Sequence, residues 1–384
     1  MLRDTARVPA LPVEGGTGFG RAAMHILFCN WRDTRNPEGG GSERYVEEMA
    51  AGLVARGHQV TIACAKHDRA PNDEVRDGVR FVRRGSKLDI YLITFFRILF
   101  RRYGKVDLVV DVQNGLPFFT RLATRKPVVV LVHHVHREQW PVVYPGLIGR
   151  VGWWIESQFA PRLYRKSQYV CVSEATRLEL IDLGVDRDRL SIVHNGTDPA
   201  PFVDVERSLE PRLCVLGRLV PHKQVEHAID ALAAVRTGQP GATLDIVGDG
   251  WWDAELRAHA EKQGVADAVT FHGFVDEATK HQILASSWLM LLPSLKEGWG
   301  IVVGEAGSHG TPTIAYSTAG GTTESIDHKD SGLLVDTQEE LTAEVVHLVL
   351  DDEFRQFLGE GAQRKAQSYS WATSQARFAE LIGA

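Results

Sequence analysis

The sequence predicts an α/β chain built from two doubly wound domains in tandem, each a mostly parallel sheet covered by helices on both faces. Three observations predict it. Short β-branched runs alternate with segments of helical period throughout the chain. These runs are apolar on both sides, as strands buried between two helical layers must be. The alternation also restarts beyond a stretch rich in proline and acid at 197–211, which reads as a linker.

Taken in order, residues 1–23 are rich in Gly and Pro, carry Asp4 and Glu14, and lack the uninterrupted apolar core of a secretory signal. A flexible tail is expected there, with Met24 as an alternative start. Strands are expected at 25–30, 59–64, 79–83, 108–112, 127–133 and 169–173, with helices at 42–56 and 174–183. After the linker, strands are expected at 212–217, 242–248, 269–273, 288–293 and 313–316. Helices are expected between them at 222–234, 254–262, 278–285 and 300–310. A last helical period, 368–381, follows the second sheet. The resulting division is a tail (1–23), a first domain (24–203), a second domain (204–366) and a closing segment (367–384).

Composition narrows the function. With 384 residues, 44% apolar, the chain can bury two cores. Cys29, Cys64, Cys171 and Cys214 each sit in an apolar run without CxxC or metal spacing, which fits buried reduced thiols and the cytosol. The net charge is −6, but residues 1–200 carry 29 Lys/Arg against 22 Asp/Glu, and the remainder carries 14 against 27. A nucleic-acid partner is therefore disfavoured, whereas the basic first half suits an anionic acceptor or a membrane surface. No apolar run is long enough to span a bilayer. The nearest, 90–100, holds Arg97 and precedes Arg101, Arg102 and Lys105. It reads either as a core helix or as an amphipathic helix lying on a membrane.

Four constellations carry possible chemistry. Gly39, Gly40 and Gly41 lie between the first strand and first helix, with Ser42 as a suitable N-cap. They open backbone donors to a phosphate or sugar hydroxyl, or form a merely flexible loop. Contiguous glycines in a long loop are not the GxGxxG of a dinucleotide fold. His133, His134 and His136, with Arg137, sit at the carboxyl end of an apolar strand, where open α/β sheets bind ligands. Metal binding is the rival there, although no further ligand cluster supports it.

Gly217, Arg218 and Lys223 follow the first strand of the second domain. A guanidinium and an ammonium five residues apart can hold one diphosphate, against the alternative of ordinary solvated cations. The most specific set is Lys296-Glu297-Gly298-Trp299-Gly300-Ile301 with Gly304 and Glu305. Its glycines free amides at a helix start, and Glu305, about one turn in, can accept from two neighbouring hydroxyls. The lone DxD, Asp186 to Asp188, lies in an exposed turn between a helix and a strand expected at 191–194, and reads as solvated loop.

Gly217-Arg218 with Lys223, the strand end Gly248-Asp249-Gly250, 271–275, the Glu297/Glu305 pair, and Gly310 followed by Gly320, Gly321 and Glu324 resemble the retaining family 4 (group 1) glycosyltransferases. The likeness runs from Met24 to the end. It implies the GT-B fold, two Rossmann-like domains facing across a cleft, with the acceptor on the first and the nucleotide sugar on the second. The last helix is implied to pack back toward the first domain.

By position, Glu305 matches the ribose-binding acid, Glu297 the acid beside the transferred sugar, and Arg218 with Lys223 the diphosphate pair. Gly298, Trp299, Gly300 and Ile301 match the amides at the sugar and phosphate. His133 matches the histidine after the strand, Gly40 and Gly41 the loop near the diphosphate, and Gly248, Phe274 and Val275 the base-binding region. Trp299 stands where Phe is commoner, and Gly304 where a larger apolar residue is usual.

The reaction so implied is retaining transfer of a hexose from a UDP- or GDP-linked sugar to a glycan, lipid-linked or polyol hydroxyl, with no metal or other cofactor beyond the donor. Front-face substitution is expected, with Arg218, Lys223 and oriented amides stabilising the departing diphosphate. A cytoplasmic enzyme, in peripheral contact with the membrane through its first domain, is expected. A nucleotide-sugar epimerase or hydrolase, and a non-catalytic nucleotide-sugar-binding protein, are the alternatives.

Overall fold

The computed structural model describes residues 22–384, so the tail expected over 1–23 lies, apart from its last two residues, outside the described residues. The first sheet has eight strands: β1 (His25–Cys29), β2 (Gln59–Cys64), β3 (Asp73–Arg76), β4 (Val79–Arg83), β5 (Leu108–Gln113), β6 (Val128–Val132), β7 (Gln168–Cys171) and β8 (Leu190–Ile192). Their order is β3-β4-β2-β1-β5-β6-β7-β8, parallel except for β3 against β4. The second sheet has six: β9 (Arg212–Leu216), β10 (Thr243–Val247), β11 (Val269–Gly273), β12 (Leu289–Leu292), β13 (Thr313–Tyr316) and β14 (Gly332–Val335). They run β11-β10-β9-β12-β13-β14, all parallel.

Both orders reverse at a defined place. Connections leave β1 toward β2 on one side and return to β5 on the other, and β9 is flanked likewise by β10 and β12. Such switch points leave a crevice beyond the strand ends, and the glycine-rich loop after β1 and the Gly217–Arg218 turn after β9 occupy them. The β-branched cores are dry: Val110, Val130 and Val170 in one sheet and Leu213, Leu244 and Leu289 in the other are fully buried or nearly so.

Two short strands escape the sequence reading. β3 carries Asp73, Glu74 and Arg76, too polar to signal a buried strand, and survives as an antiparallel edge. β14 is only four residues, Gly332–Val335. Ser42 is not the N-cap expected of it. The helix Gly41–Ala55 begins one residue earlier, capped by Gly40, and the Ser42 hydroxyl donates to Glu43 Oε1 instead (2.7 Å).

The last helix, Trp371–Ile382, starts at Ser370, whose hydroxyl accepts from Thr373 N (3.2 Å). It leaves the second sheet and lies on the first. Phe378 stacks on Phe28 with ring centroids 6.0 Å apart, and Ser374 donates to the His194 carbonyl (2.7 Å). Gly52 is forced to be glycine by that contact, since a Cβ there would stand 2.6 Å from the side chain of Gln375.

Candidate active site

The site lies where the strand ends of the two sheets meet, and close backbone approaches fix it. Gly298 abuts the first domain: a Cβ on it would lie 2.4 Å from the carbonyl oxygen of His133, just past β6. Gly321 is equally constrained, with a Cβ position 2.0 Å from the Gly298 carbonyl. The glycines after β13 thus seat the 297–300 loop, helped by Glu297 N donating to Ala319 O (2.7 Å) and Gly321 N donating to Glu297 O (3.0 Å).

Gly300, at φ +82°, adopts the left-handed conformation that starts the helix Ile301–Ser308. The Ile301 and Val302 amides have no acceptor within that helix, so its positive end is open to an anion. Ile301 reaches the glycine-rich loop, its Cδ1 being 3.0 Å from where a Gly41 Cβ would stand. Trp299, by contrast, is buried in the junction between the domains, its ring 4.9 Å from that of His194 and 4.8 Å from that of Tyr369. Any donor contact of Trp299 is left to its backbone.

The glycine-rich loop is braced from below. Arg83, fully buried, donates through Nε to Asp33 Oδ2 (2.6 Å), while His67 Nε2 lies 2.9 Å from Asp33 Oδ1. Asp33 in turn accepts from Asn36 N (3.0 Å), turning the chain so tightly that a Cβ on Gly39 would meet the Asp33 carbonyl at 2.8 Å. At the helix start, buried Glu43 accepts from Gly40 N (2.8 Å) and is ion-paired with Arg32, whose Nε lies 2.8 Å from Oε1. A Cβ on Gly40 would meet nothing closer than Glu43 Oε2, at 3.8 Å.

Cations gather opposite. Lys223, in the turn Pro221–Lys223 after β9, is ion-paired through Nζ with Glu297 Oε1. Burial lowers the pKa of Arg218, and the Arg32 guanidinium from the other domain lowers it further. The carboxylates of Glu43, Glu38 and Glu297 act on Arg218 in the opposite sense, so charged groups of both domains share one electrostatic environment there. Burial, and next to it Lys223 and Arg218, depress His222 to about 4. Close approach shapes the same edge at Gly248, where a Cβ would fall 1.9 Å from the Gly217 carbonyl.

Burial pushes the His133 imidazole down to about 4, keeping it neutral near pH 7. Its Nε2 is buried without a hydrogen-bond partner, and its ring meets Tyr45 edge-on at 5.3 Å. His134 is lowered well below its ordinary value by burial, and its ring lies tilted 4.2 Å from that of His136, whose Nδ1 is 3.1 Å from Glu156 Oε1. No group of three or more His, Cys, Asp or Glu among the described residues is placed to hold a metal ion.

The remaining expected residues stand farther along the second domain. Glu305 is ion-paired with Lys280 (2.8 Å), which also reaches Glu277 (2.7 Å). Val275 is half-buried, and Phe274, 79% exposed, projects beyond β11. The sequence reading overlooked Arg32 and Glu43, although charged residues flanking a glycine loop at a strand end were the available signal. It also left Glu324 without a role. Its carboxylate crosses to the first domain, accepting from Ala175 N (3.2 Å) and lying 3.3 Å from His194 Nε2. Lys296 crosses too, ion-paired with Glu179.

Known proteins are similar over nearly the whole chain. Residues 39–201 match the family described as Glycosyltransferase Family 4, and residues 200–365 that described as Glycosyl transferases group 1. A D-inositol 3-phosphate glycosyltransferase of Jonesia denitrificans is 30% identical, covering 87% of this chain and 88% of its own. A GDP-mannose-dependent alpha-(1-6)-phosphatidylinositol monomannoside mannosyltransferase of Mycobacterium tuberculosis is 29% identical, covering 90% of this chain and 95% of its own. Among solved structures, the sucrose-phosphate synthase of Thermosynechococcus elongatus superposes with a TM-score of 0.78 at 18% identity, over 94% of this chain and 98% of that one. Anabaena HepE in complex with UDP and glucose superposes at 0.73 and 20% identity, over 94% and 99%.

Proposed function

We propose, from the premise that this chain belongs to the group 1, family 4 glycosyltransferases, that it transfers a hexose with retention from a UDP- or GDP-linked sugar to a hydroxyl of an anionic polyol, glycan or lipid-linked acceptor. One observation carries the reading. Lys223, ion-paired with Glu297, stands beside the helix-start amides at Ile301 and Val302, and buried Arg218 of the second domain lies close enough to Arg32 of the first for their charges to interact. A diphosphate is the anion of matching size and charge.

In this reading the acceptor hydroxyl attacks the anomeric carbon on the face the diphosphate leaves; the new glycosidic bond forms as the bond to the β-phosphate oxygen breaks, and the hydroxyl proton passes to that departing oxygen. Charge accumulates on that oxygen, where Arg218, Lys223 and the helix-start amides strengthen their hold in the transition state. Lys223 exchanges Glu297 for phosphate, freeing the Glu297 carboxylate for sugar hydroxyls. Glu305 accepts from the ribose diol, and the base lies toward Gly248, Phe274 and Val275. His133, held neutral, hydrogen-bonds the sugar or the attacking hydroxyl. Gly40 leaves room for the phosphates while Gly41 admits Ile301, and no metal is required because fixed cations supply the charge.

GDP-mannose is the first donor to try, on the strength of the mycobacterial relative's name. The names of the two relatives both specify an inositol bearing phosphate, which agrees with the basic first half as a surface for an anionic acceptor. We place the reaction in the cytoplasm, at the inner face of the plasma membrane.

Purified protein offered UDP-glucose, UDP-N-acetylglucosamine and GDP-mannose separately should bind one of them saturably and hydrolyse it slowly. Lys223→Ala should abolish that hydrolysis. Equal indifference to all three donors, or hydrolysis untouched by the substitution, would overturn the assignment.

A further inference from the structure

The helix Asp89–Leu99 is inside out. Its buried side holds Ile90 and Thr94, while the stripe turned to solvent consists of Leu88, Leu92, Phe96, Leu99 and, just past the helix, Phe100. A surface helix ordinarily puts polar residues on that stripe. Leu92 and Phe100 are each 66% exposed, and Phe96 stacks on Phe100 with centroids 6.2 Å apart, so the rings form one continuous patch.

A second apolar surface lies in the segment between β6 and β7. The helix Leu147–Trp154 exposes Leu147, Ile148, Val151 and Trp154, preceded by Val142 and Val143. Aromatic contacts join the two surfaces. Tyr91 stacks on Phe118 at 4.5 Å, the adjacent Phe119 meets Phe159 at 6.1 Å, and Phe159 stacks on Trp154 at 6.0 Å. Exposed apolar surface on this scale marks an interaction face.

Charge identifies the occupant. Between residues 88 and 126 the chain carries seven Lys/Arg against three Asp. Asp111 is fully buried, and Asp107 lies 3.5 Å from Lys126. Arg101, Arg102, Lys105 and Arg125 are exposed around the apolar stripe, as is Arg150 within the second surface. Apolar side chains ringed by cations match a bilayer carrying anionic headgroups: acyl chains accept the Leu and Phe, and phosphates the Arg and Lys. A second copy of the chain would bring the same cations against themselves.

We propose that these two helical surfaces form a single docking face for an anionic lipid bilayer. The second is rooted at the cleft. Glu156, just beyond Trp154, accepts from Trp140 Nε1 (2.6 Å) and lies 3.1 Å from His136 Nδ1, beside His133 and His134. Docking therefore holds the acceptor side of the cleft next to the membrane. No helix among the described residues is long and apolar enough to cross it, so attachment is from one side.

The test is co-sedimentation of the full chain with phosphatidylglycerol-containing vesicles and with pure phosphatidylcholine vesicles, together with its sedimentation in the absence of lipid. The protein should partition to the anionic vesicles alone and sediment as a monomer without them. Replacing Arg101, Arg102 and Lys105 together by Gln should weaken partitioning on the order of a hundredfold, at about fivefold per charge. The separate triple variant Leu92→Ser, Phe96→Ser, Phe100→Ser should abolish it, while both variants keep native circular dichroism and donor binding. Failure of the folded wild type to bind anionic vesicles would overturn the proposal, as would concentration-dependent self-association that the serine variant removes. Vesicle binding and hexose transfer are read separately, so either can fail without the other.

Discussion

Gly298 of the second domain rests against the carbonyl oxygen of His133 in the first, so closely that a methyl group would lie 2.4 Å from it. That contact sets how near the helix-start amides come to the first domain's strand ends. Gly298→Ala must part the two loops, and misplacement of about 1 Å can cost on the order of a hundredfold in rate. Steady-state turnover should fall by that order, with native circular dichroism retained. Wild-type turnover would mean that this approach does not shape the site.

Lys223 and Glu297 neutralise one another across two strand-end loops. Lys223→Ala removes a phosphate cation and strands a carboxylate beside the departing charge, so turnover should drop by about 3 to 4 kcal/mol of transition-state stabilisation. Glu297→Gln alone should cost less. Because the pair is in contact, the double variant should depart from additivity by about 0.5 to 3 kcal/mol. Strictly additive losses in single-turnover rates would argue that the two do not act on the same substrate group.

Glu305, held by Lys280, offers its carboxylate to a diol. Hydrogen bonds to charged groups contribute about 1.5 to 3 kcal/mol, so Glu305→Ala should raise the donor Kd roughly ten- to a hundredfold. Calorimetric titration of the nucleoside diphosphate measures this directly, and an unchanged Kd would remove Glu305 from the donor site.

His133 is held neutral by burial, with its pKa lowered to about 4 from an ordinary 6.5. Between those values the unfolded chain binds a proton that the folded chain refuses, so stability declines as pH falls from about 6.5 to about 4 and this contribution is constant above 6.5. The unfolding temperature of His133→Asn should therefore fall less steeply than that of the wild type across this window. Parallel pH profiles would show that the imidazole already carries its proton in the fold. At pH 7 the same substitution should slow transfer more than it weakens donor binding.

Arg83 and Asp33 are both buried beneath the glycine loop. Removing one partner of such a pair typically costs about 3 to 5 kcal/mol. Arg83→Ala should lower the urea midpoint by a corresponding amount, and a midpoint within error of the wild type would show that the loop does not depend on the pair.

The sheets were legible because their strands are short apolar runs with little freedom to be anything else. β2, β4 and β11 fall on the expected residues. β3 was hidden because an edge strand carrying Asp73 and Glu74 has no buried face to announce. Gly298, Gly300 and Gly321 could be singled out as unusual, but the reason each must be glycine is an approach by a carbonyl or a left-handed turn, visible only once the loops are stacked. Trp299 shows the limit from the other side. Its place between two glycines pointed toward the donor, yet its ring fills the domain junction beside His194 and Tyr369.

By itself, the order of residues determined two parallel sheets, the loops at their carboxyl ends and the cations and carboxylates those loops carry, since periodicity and residue chemistry are local properties. Tertiary structure decided which of these meet. Lys223 finds Glu297, Glu324 crosses to Ala175 and His194, and Leu92 and Phe96 turn outward, because each depends on the packing of segments distant in sequence, which no local pattern encodes.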